Sequence, residues 1–187
     1  MTIVSRLERG LAVHQEQPIP ALFPSLAASL GAAYAQAQRV SEALPLVEQA
    51  VEQSPSATRV RHLGEVSLQA GRVEPARRAA ERALGTARQH RERSQESWTL
   101  RLLGEIAARA EPDDSAPAER YYRQALALAE ELGMRPLAAH CHLGLGALYQ
   151  QVGRDAAARA ERATAAQMYR AMEMPFWLEK AEASDSC

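Results

Sequence analysis

Apolar and polar positions along the 187 residues recur at helical spacing, with small residues dominating the apolar face. Four stretches share one plan. They start at Leu30, Leu63, Leu103 and Leu145, each followed by glycine, and run for about two helical turns. Each then breaks, at Gln38-Arg39, Gly71-Arg72, the acidic loop from Glu111 to Pro117, and Gly153-Arg154. Each resumes with an alanine, Ala43, Ala76, Ala118 or Ala158, and a second one seven residues on, Ala50, Ala83, Ala125 or Ala165. Alanines seven apart share one helix face, where only a small side chain fits against a close neighbour. The Leu-Gly pair lets the first helix approach that neighbour, and the mid-unit glycine ends it in a left-handed conformation. The pattern predicts antiparallel helical hairpins. The starts lie 33, 40 and 42 residues apart, a period that means stacked units, because one hairpin cannot bury its own apolar face.

The spacing resembles the tetratricopeptide repeat family. Leu30, Gly31, Tyr34, Ala43, Ala50 and Pro55 fall on its pattern, as do Leu145, Gly146, Tyr149, Ala158 and Ala165. The second and third units carry Ser67 and Ala107 where the family has tyrosine. The aromatic place on the second helix holds Val47, Ala80, Tyr122 and Arg162. The longer periods and the closing "MYRAMEMPFWLEKAEA" resemble the C-terminal helical-repeat regions of bacterial signalling proteins with an ATPase or nucleotide-cyclase module. The resemblance implies an all-α, right-handed superhelical solenoid of about four hairpins with an extra helix at each end. The expected divisions are a leftover second helix at 1–17, repeats at 22–55, 57–93, 95–133 and 136–172, and a capping helix at 175–183. In the N-terminal helix Leu7, Leu11 and Ala12 share a face, which fits the remainder of an earlier repeat. Phe176, Trp177, Leu178 and Ala181 fit a cap on the last hairpin.

Composition adds exclusions. Alanine-rich apolar content with 5% aromatics favours packed helices over a β-sandwich. A net charge of −1 gives no global field for nucleic acid or an anionic membrane. Two cysteines, Cys141 and Cys187, cannot staple a chain this long and fit a reducing cytoplasm. The N-terminus has the charges Arg6, Glu8 and Arg9 and no apolar core, unlike a signal peptide.

The stretch "HCHLGLG" imitates chemistry. His140, Cys141 and His142 are consecutive, and at ~100° per residue the two histidines point to nearly opposite sides. A helical metal pair needs spacing of three or four. His14, His62 and His90 stand alone. Gly144-Leu145-Gly146 follows no strand and lacks the third glycine of a dinucleotide loop. Packing is the expected role of both motifs. The carboxylate pairs Asp113-Asp114 and Glu130-Glu131 read as solvated, and Glu65 and Glu105 recur by repeat. No catalytic residue, metal or cofactor is expected.

The expected function is a noncatalytic scaffold binding a peptide or partner domain in the concave groove lined by first helices. The candidate groove residues are Arg61, Glu65, Gln69, Trp98, Arg101, Glu105, Arg109 and His140. Arginines beside a tryptophan suit a peptide bearing acids and an apolar residue. The alternative implied by the resemblance is a regulatory segment of a larger ATPase or nucleotide-cyclase system. Self-association through exposed repeat ends is a further expectation. The arginine-rich stretch from Arg72 to Ser94 belongs largely to a second helix, hence to the convex side, so nucleic acid is not the expected partner.

Overall fold

The computed structural model describes residues 3–16, 21–112 and 114–183. Asp113, Cys187 and residues 1, 2 and 17 of the expected N-terminal helix lie outside them, as does the side chain of His14. Among the described residues the regular elements are α-helices. They are α1 (Ile3–Glu16), α2 (Phe23–Gln36), α3 (Val40–Gln53), α4 (Ala57–Gln69), α5 (Val73–Gln89), α6 (Arg93–Ala110), α7 (Ala116–Glu131), α8 (Arg135–Gln151), α9 (Asp155–Ala171) and α10 (Pro175–Ala183). They fall into two compact units, Met1–His90 and Arg91–Cys187.

In the first unit α2 packs on α3 and α4 on α5, with α1 against α2. Its core gathers Leu30, Tyr34, Val47, Val51, Val60 and Val66, with Val4, Leu7 and Leu11 of α1 laid against it. The alanine period places Ala43, Val47 and Ala50 at 0% exposure on one face of α3. A Cβ on Gly31 would collide with the Val47 side chain and meet the Ala43 carbonyl at 3.1 Å, so the Leu-Gly position is a close helix approach. Ala28, whose spacing puts it on the groove side of α2, is instead buried beside Ala27 and Ala50.

In the second unit α6 pairs with α7, α8 with α9, and α10 packs on α9. Tyr122 of α7 is wedged between two glycines of different helices. A Cβ on Gly104 of α6 would lie 3.0 Å from its ring, and one on Gly144 of α8 would lie 2.5 Å from it. Gly146 faces the other way, toward Ala158 and Arg162 of α9. The Gly-Leu-Gly motif is thus two close approaches on opposite sides of one helix.

Three of the breaks within hairpins share one backbone device. Gln38, Gly71 and Gly153 adopt left-handed φ of 61°, 73° and 72°. The next amide then reaches back to the helix: Arg39 N donates to the Tyr34 carbonyl at 2.8 Å, Arg72 N to Ser67 at 2.9 Å, and Arg154 N to Tyr149 at 2.8 Å. The expected glycine is present in two of these turns, and Gln38 performs the same turn in the other. Gly133 and Glu173 end α7 and α9 likewise, with φ of 66° and 53°.

A side-chain clasp repeats with it. Tyr34 Oη donates to Glu8 at 2.8 Å, and Arg39 lies 4.0 Å over the Tyr34 ring while reaching Glu8 at 3.2 Å. In the second unit Tyr149 Oη donates to Glu119 at 2.9 Å, and Arg154 lies 4.1 Å over that ring while reaching Glu119 at 3.1 Å. Glu119 belongs to the second helix of a hairpin. Glu8 plays its part from α1, which puts α1 in second-helix register.

Candidate protein-binding face

The first helices carry the candidate residues, and their register follows from the shared turns. The left-handed residues Arg91, Gly133 and Glu173 precede α6, α8 and α10 by the same two positions. Trp98, His140 and Lys180 are therefore equivalent, as are Arg101 and Leu143, and Glu105 and Ala147.

In the first unit the candidates are Arg61, Glu65 and Gln69 of α4. Arg61 is 8% exposed. Its Nη1 donates to Glu65 at 2.6 Å, and its Nη2 meets the Nε2 of His62 at 2.9 Å. Burial, with the Arg61 charge added, holds His62 below its ordinary range, so the ring is neutral and accepts the guanidinium N–H. Arg61 is thus engaged within its own helix. Gln69 is exposed at the helix end.

In the second unit Trp98, Arg101, Glu105 and Arg109 line one face of α6. Arg101 and Arg109 share one carboxylate: Glu105 accepts from them at 3.3 and 2.9 Å. The Arg101 guanidinium lies 5.7 Å from the Trp98 ring centre. His140 of α8 stands 5.8 Å from Trp98, ring centre to ring centre, and 4.4 Å from Trp177 of α10. Its Nδ1 is 2.7 Å from Tyr169 Oη of α9. Burial raises the Tyr169 pKa, so the phenol keeps its proton and can donate it to His140.

The structure therefore brings Trp98, Arg101 and His140 together, as the sequence placed them, and adds residues the sequence reading did not name. Trp177, Phe176 and Lys180 of α10 continue the face. Phe176 and Trp177 are 5.3 Å apart in an edge-to-face pair. The Lys180 ammonium lies 4.6 and 4.9 Å from those two rings. The signal was available: counting 40 residues on from His140 lands on Lys180, in the short helix read only as a cap.

The metal-like triplet separates. His142 Nδ1 is 2.6 Å from Glu161 of α9, on another side of α8 from His140. Cys141 between them is fully buried, and that burial pushes its thiol up to about 12. It is a core thiol, not a nucleophile. Glu130 and Asp114 are exposed, and Glu131 holds Arg93 at 2.6 Å. Among the described residues no helix is long and apolar enough to cross a membrane.

Paired antiparallel helices with glycine approaches and left-handed turns define a helical-repeat protein. Comparison specifies the repeat. Residues 34–96 match the family model of the tetratricopeptide repeat, so this segment is similar to that family. No curated protein matches the chain. Among solved structures, BtubC (BKLC) from P. vanneervenii aligns over 90% of this chain and 72% of its own, at 21% identity and a TM-score of 0.68. The apo form of RapI aligns over 96% of this chain at 14% identity and a TM-score of 0.58, and this chain spans 54% of its length. TTC0263, a thermophilic TPR protein in Thermus thermophilus, aligns over 86% of this chain and 89% of its own, at 23% identity and a TM-score of 0.52. At these identities the likeness is one of fold: an all-α helical-repeat solenoid, as the periodicity implied. The repeat segment and this fold support a protein-interaction scaffold.

Proposed function

We propose that the chain is a noncatalytic scaffold that holds a peptide or a partner domain on its first-helix faces, the groove side of such repeats. The observation that carries the reading is the α6 face. Arg101 and Arg109 both pair with Glu105 there, beside a half-buried tryptophan. A partly desolvated arginine next to an aromatic is the surface on which acidic, apolar-anchored segments gain most. The chemistry-like motifs are consumed by packing, which supports the noncatalytic half of the proposal.

The test is a selection of random peptides displayed on phage against the full chain. Enriched peptides are expected to combine acids with a large apolar residue. They are expected to lose at least tenfold in affinity against the double variant Arg101→Ala/Arg109→Ala. Enriched peptides that bind that variant as tightly as the wild type would place the partner elsewhere.

A further inference from the structure

The loop Ser54-Pro55-Ser56 joins the two hairpins of the first unit, running from the end of α3 to the start of α4. Both serines leave the helical region of the backbone. Ser54 has φ −154° and ψ 85°, and Ser56 has φ −144° and ψ 161°. The proline between them is exposed, and the two serines are half-buried. Non-helical backbone at the surface is where another enzyme can take hold of a chain without unwinding a helix.

One guanidinium closes this loop. Arg59 Nη1 donates to the Ser54 carbonyl at 2.9 Å, to Ser54 Oγ at 3.2 Å and to Ser56 Oγ at 3.3 Å. Its Nη2 donates to Ser25 Oγ of α2 at 3.0 Å. The Arg59 backbone N–H also donates to Ser56 Oγ, at 3.3 Å. These acceptors are a carbonyl and three hydroxyls. Among the described residues no carboxylate joins them, whereas Arg39, Arg61, Arg93 and Arg101 each hold one. Nη1 has two hydrogens for three acceptors, and the two hydroxyls take the long contacts. Arg59 thus directs donors at the Ser56 oxygen that a neutral hydroxyl uses only weakly.

We propose that Ser56 is a phosphorylation site and that Arg59 receives its phosphate. A protein kinase brings the co-substrate, a nucleoside triphosphate. Ser56 Oγ attacks the γ-phosphorus and the Oγ–P bond forms. The bond from that phosphorus to the β–γ bridging oxygen breaks, the nucleoside diphosphate leaves, and the hydroxyl proton passes to the kinase's base. Position selects Ser56 over Ser54. Ser56 is the N-cap of α4, where added negative charge is favoured, and Ser54 is the C-cap of α3, where it is opposed. Ser25 lies inside α2, with its backbone already helical. The phosphate adds a charge of about −1.5 to −2 where the Arg59 Nη1 and backbone N–H already point. Those contacts become charge-assisted and shorten to about 2.7–2.9 Å. Arg59 also holds α2 through Ser25, so the modification firms the joint between the two hairpins. The switch acts on the first unit's own fold and does not depend on which partner the first-helix faces hold.

The experiment has two arms. In the first, the unphosphorylated full chain is incubated with Mg-ATP and serine/threonine kinases of acid-, base- and proline-directed preference, and sites are mapped by tandem mass spectrometry. Ser56 is expected to be modified ahead of the other serines. Modification elsewhere with Ser56 untouched, or no modification by any kinase, overturns the proposal. The second arm needs no kinase. Phosphoserine is inserted at position 56 during translation, in the wild type and in Arg59→Ala, and each chain is denatured chemically beside its unmodified parent. The wild-type folding equilibrium constant is expected to rise about fivefold or more with the phosphate. That gain is expected to shrink below a pH of about 6, where the phosphate takes up a proton, and to be mostly lost in Arg59→Ala. A phosphorylated chain no more stable than its parent, or a gain undiminished in Arg59→Ala, removes Arg59 as the receiving group and overturns the proposal.

Discussion

Arg61-His62-Leu63-Gly64-Glu65 in α4 and Arg101-Leu102-Leu103-Gly104-Glu105 in α6 are nearly the same five residues in the same register, one in each unit. They do different things. In the first unit His62 turns back to the arginine and takes one of its arms, so the guanidinium is held between His62 and Glu65 with its side chain 9% exposed. In the second unit the corresponding Leu102 is fully buried and offers the arginine nothing polar. Arg101 leans toward Trp98, shares Glu105 with Arg109, and keeps twice the side-chain exposure at 18%. The recurring Arg-x-x-x-Glu spacing is therefore not the functional signal. The residue after the arginine, and the aromatic three places before it, decide what the guanidinium touches and how deeply it is buried.

Three perturbations separate these roles. The largest effect is expected from the second unit's packing. Gly144→Ala pushes a Cβ into the ring of Tyr122, against which Gly104 of α6 is also closely packed. Overpacking of this kind costs about 1–3 kcal/mol, of which alanine's better helix propensity returns up to about 1 kcal/mol. Chemical denaturation of the full chain measures it. Gly144→Ala/Tyr122→Leu, which removes the wedge, is expected to show strong coupling between the two sites; strict additivity would refute the wedge. Next, Arg61→Ala is expected to destabilise by about 2 kcal/mol, because it strips partners from groups that are largely out of water. Arg101→Ala is expected to cost under about 1 kcal/mol while weakening peptide binding, since its pair is more exposed. Equal stability losses for the two arginines would erase the contrast between the units.

The repeats, their hairpin order and the end helices were legible because small-residue periodicity survives in sequence: Ala43, Ala76, Ala118 and Ala158 are all buried where the spacing put them. The site was legible only in part. Trp98, Arg101 and His140 could be placed on a common face by register alone. What could not be read is how differently the two equal-looking arginines are held. That depends on the rotamer of His62 and on burial depth, and neither has a periodic signature. Tyr122 stands out in the sequence as the one retained aromatic of the second helices, but its two-sided seat needed Gly144, which lies outside the repeat register. The resemblance to the repeat regions of ATPase- and cyclase-bearing proteins, read from the long periods and the closing stretch, is not shown by the comparisons.

The smallest effect is the most selective between the units. His62 is held below its ordinary range by burial and by the Arg61 charge, whereas in the unfolded chain it titrates near 6.5. As pH falls through 6.5 the unfolded chain binds a proton that the folded chain refuses. Stability therefore declines with falling pH, and the decline ends once pH drops below the folded value. The slope from one such group is at most about 1.4 kcal/mol per pH unit. His62→Leu makes the first unit's motif identical to the second's. It is expected to flatten this part of the stability profile in denaturation curves taken between pH 7.5 and 5.5. It also releases one arm of Arg61, so the variant is expected to bind acidic apolar peptides more weakly at α4 than at α6, where the tryptophan is present and α4 has only Thr58. A profile unchanged by His62→Leu would mean that burial and the Arg61 charge do not keep the His62 ring unprotonated in the folded chain.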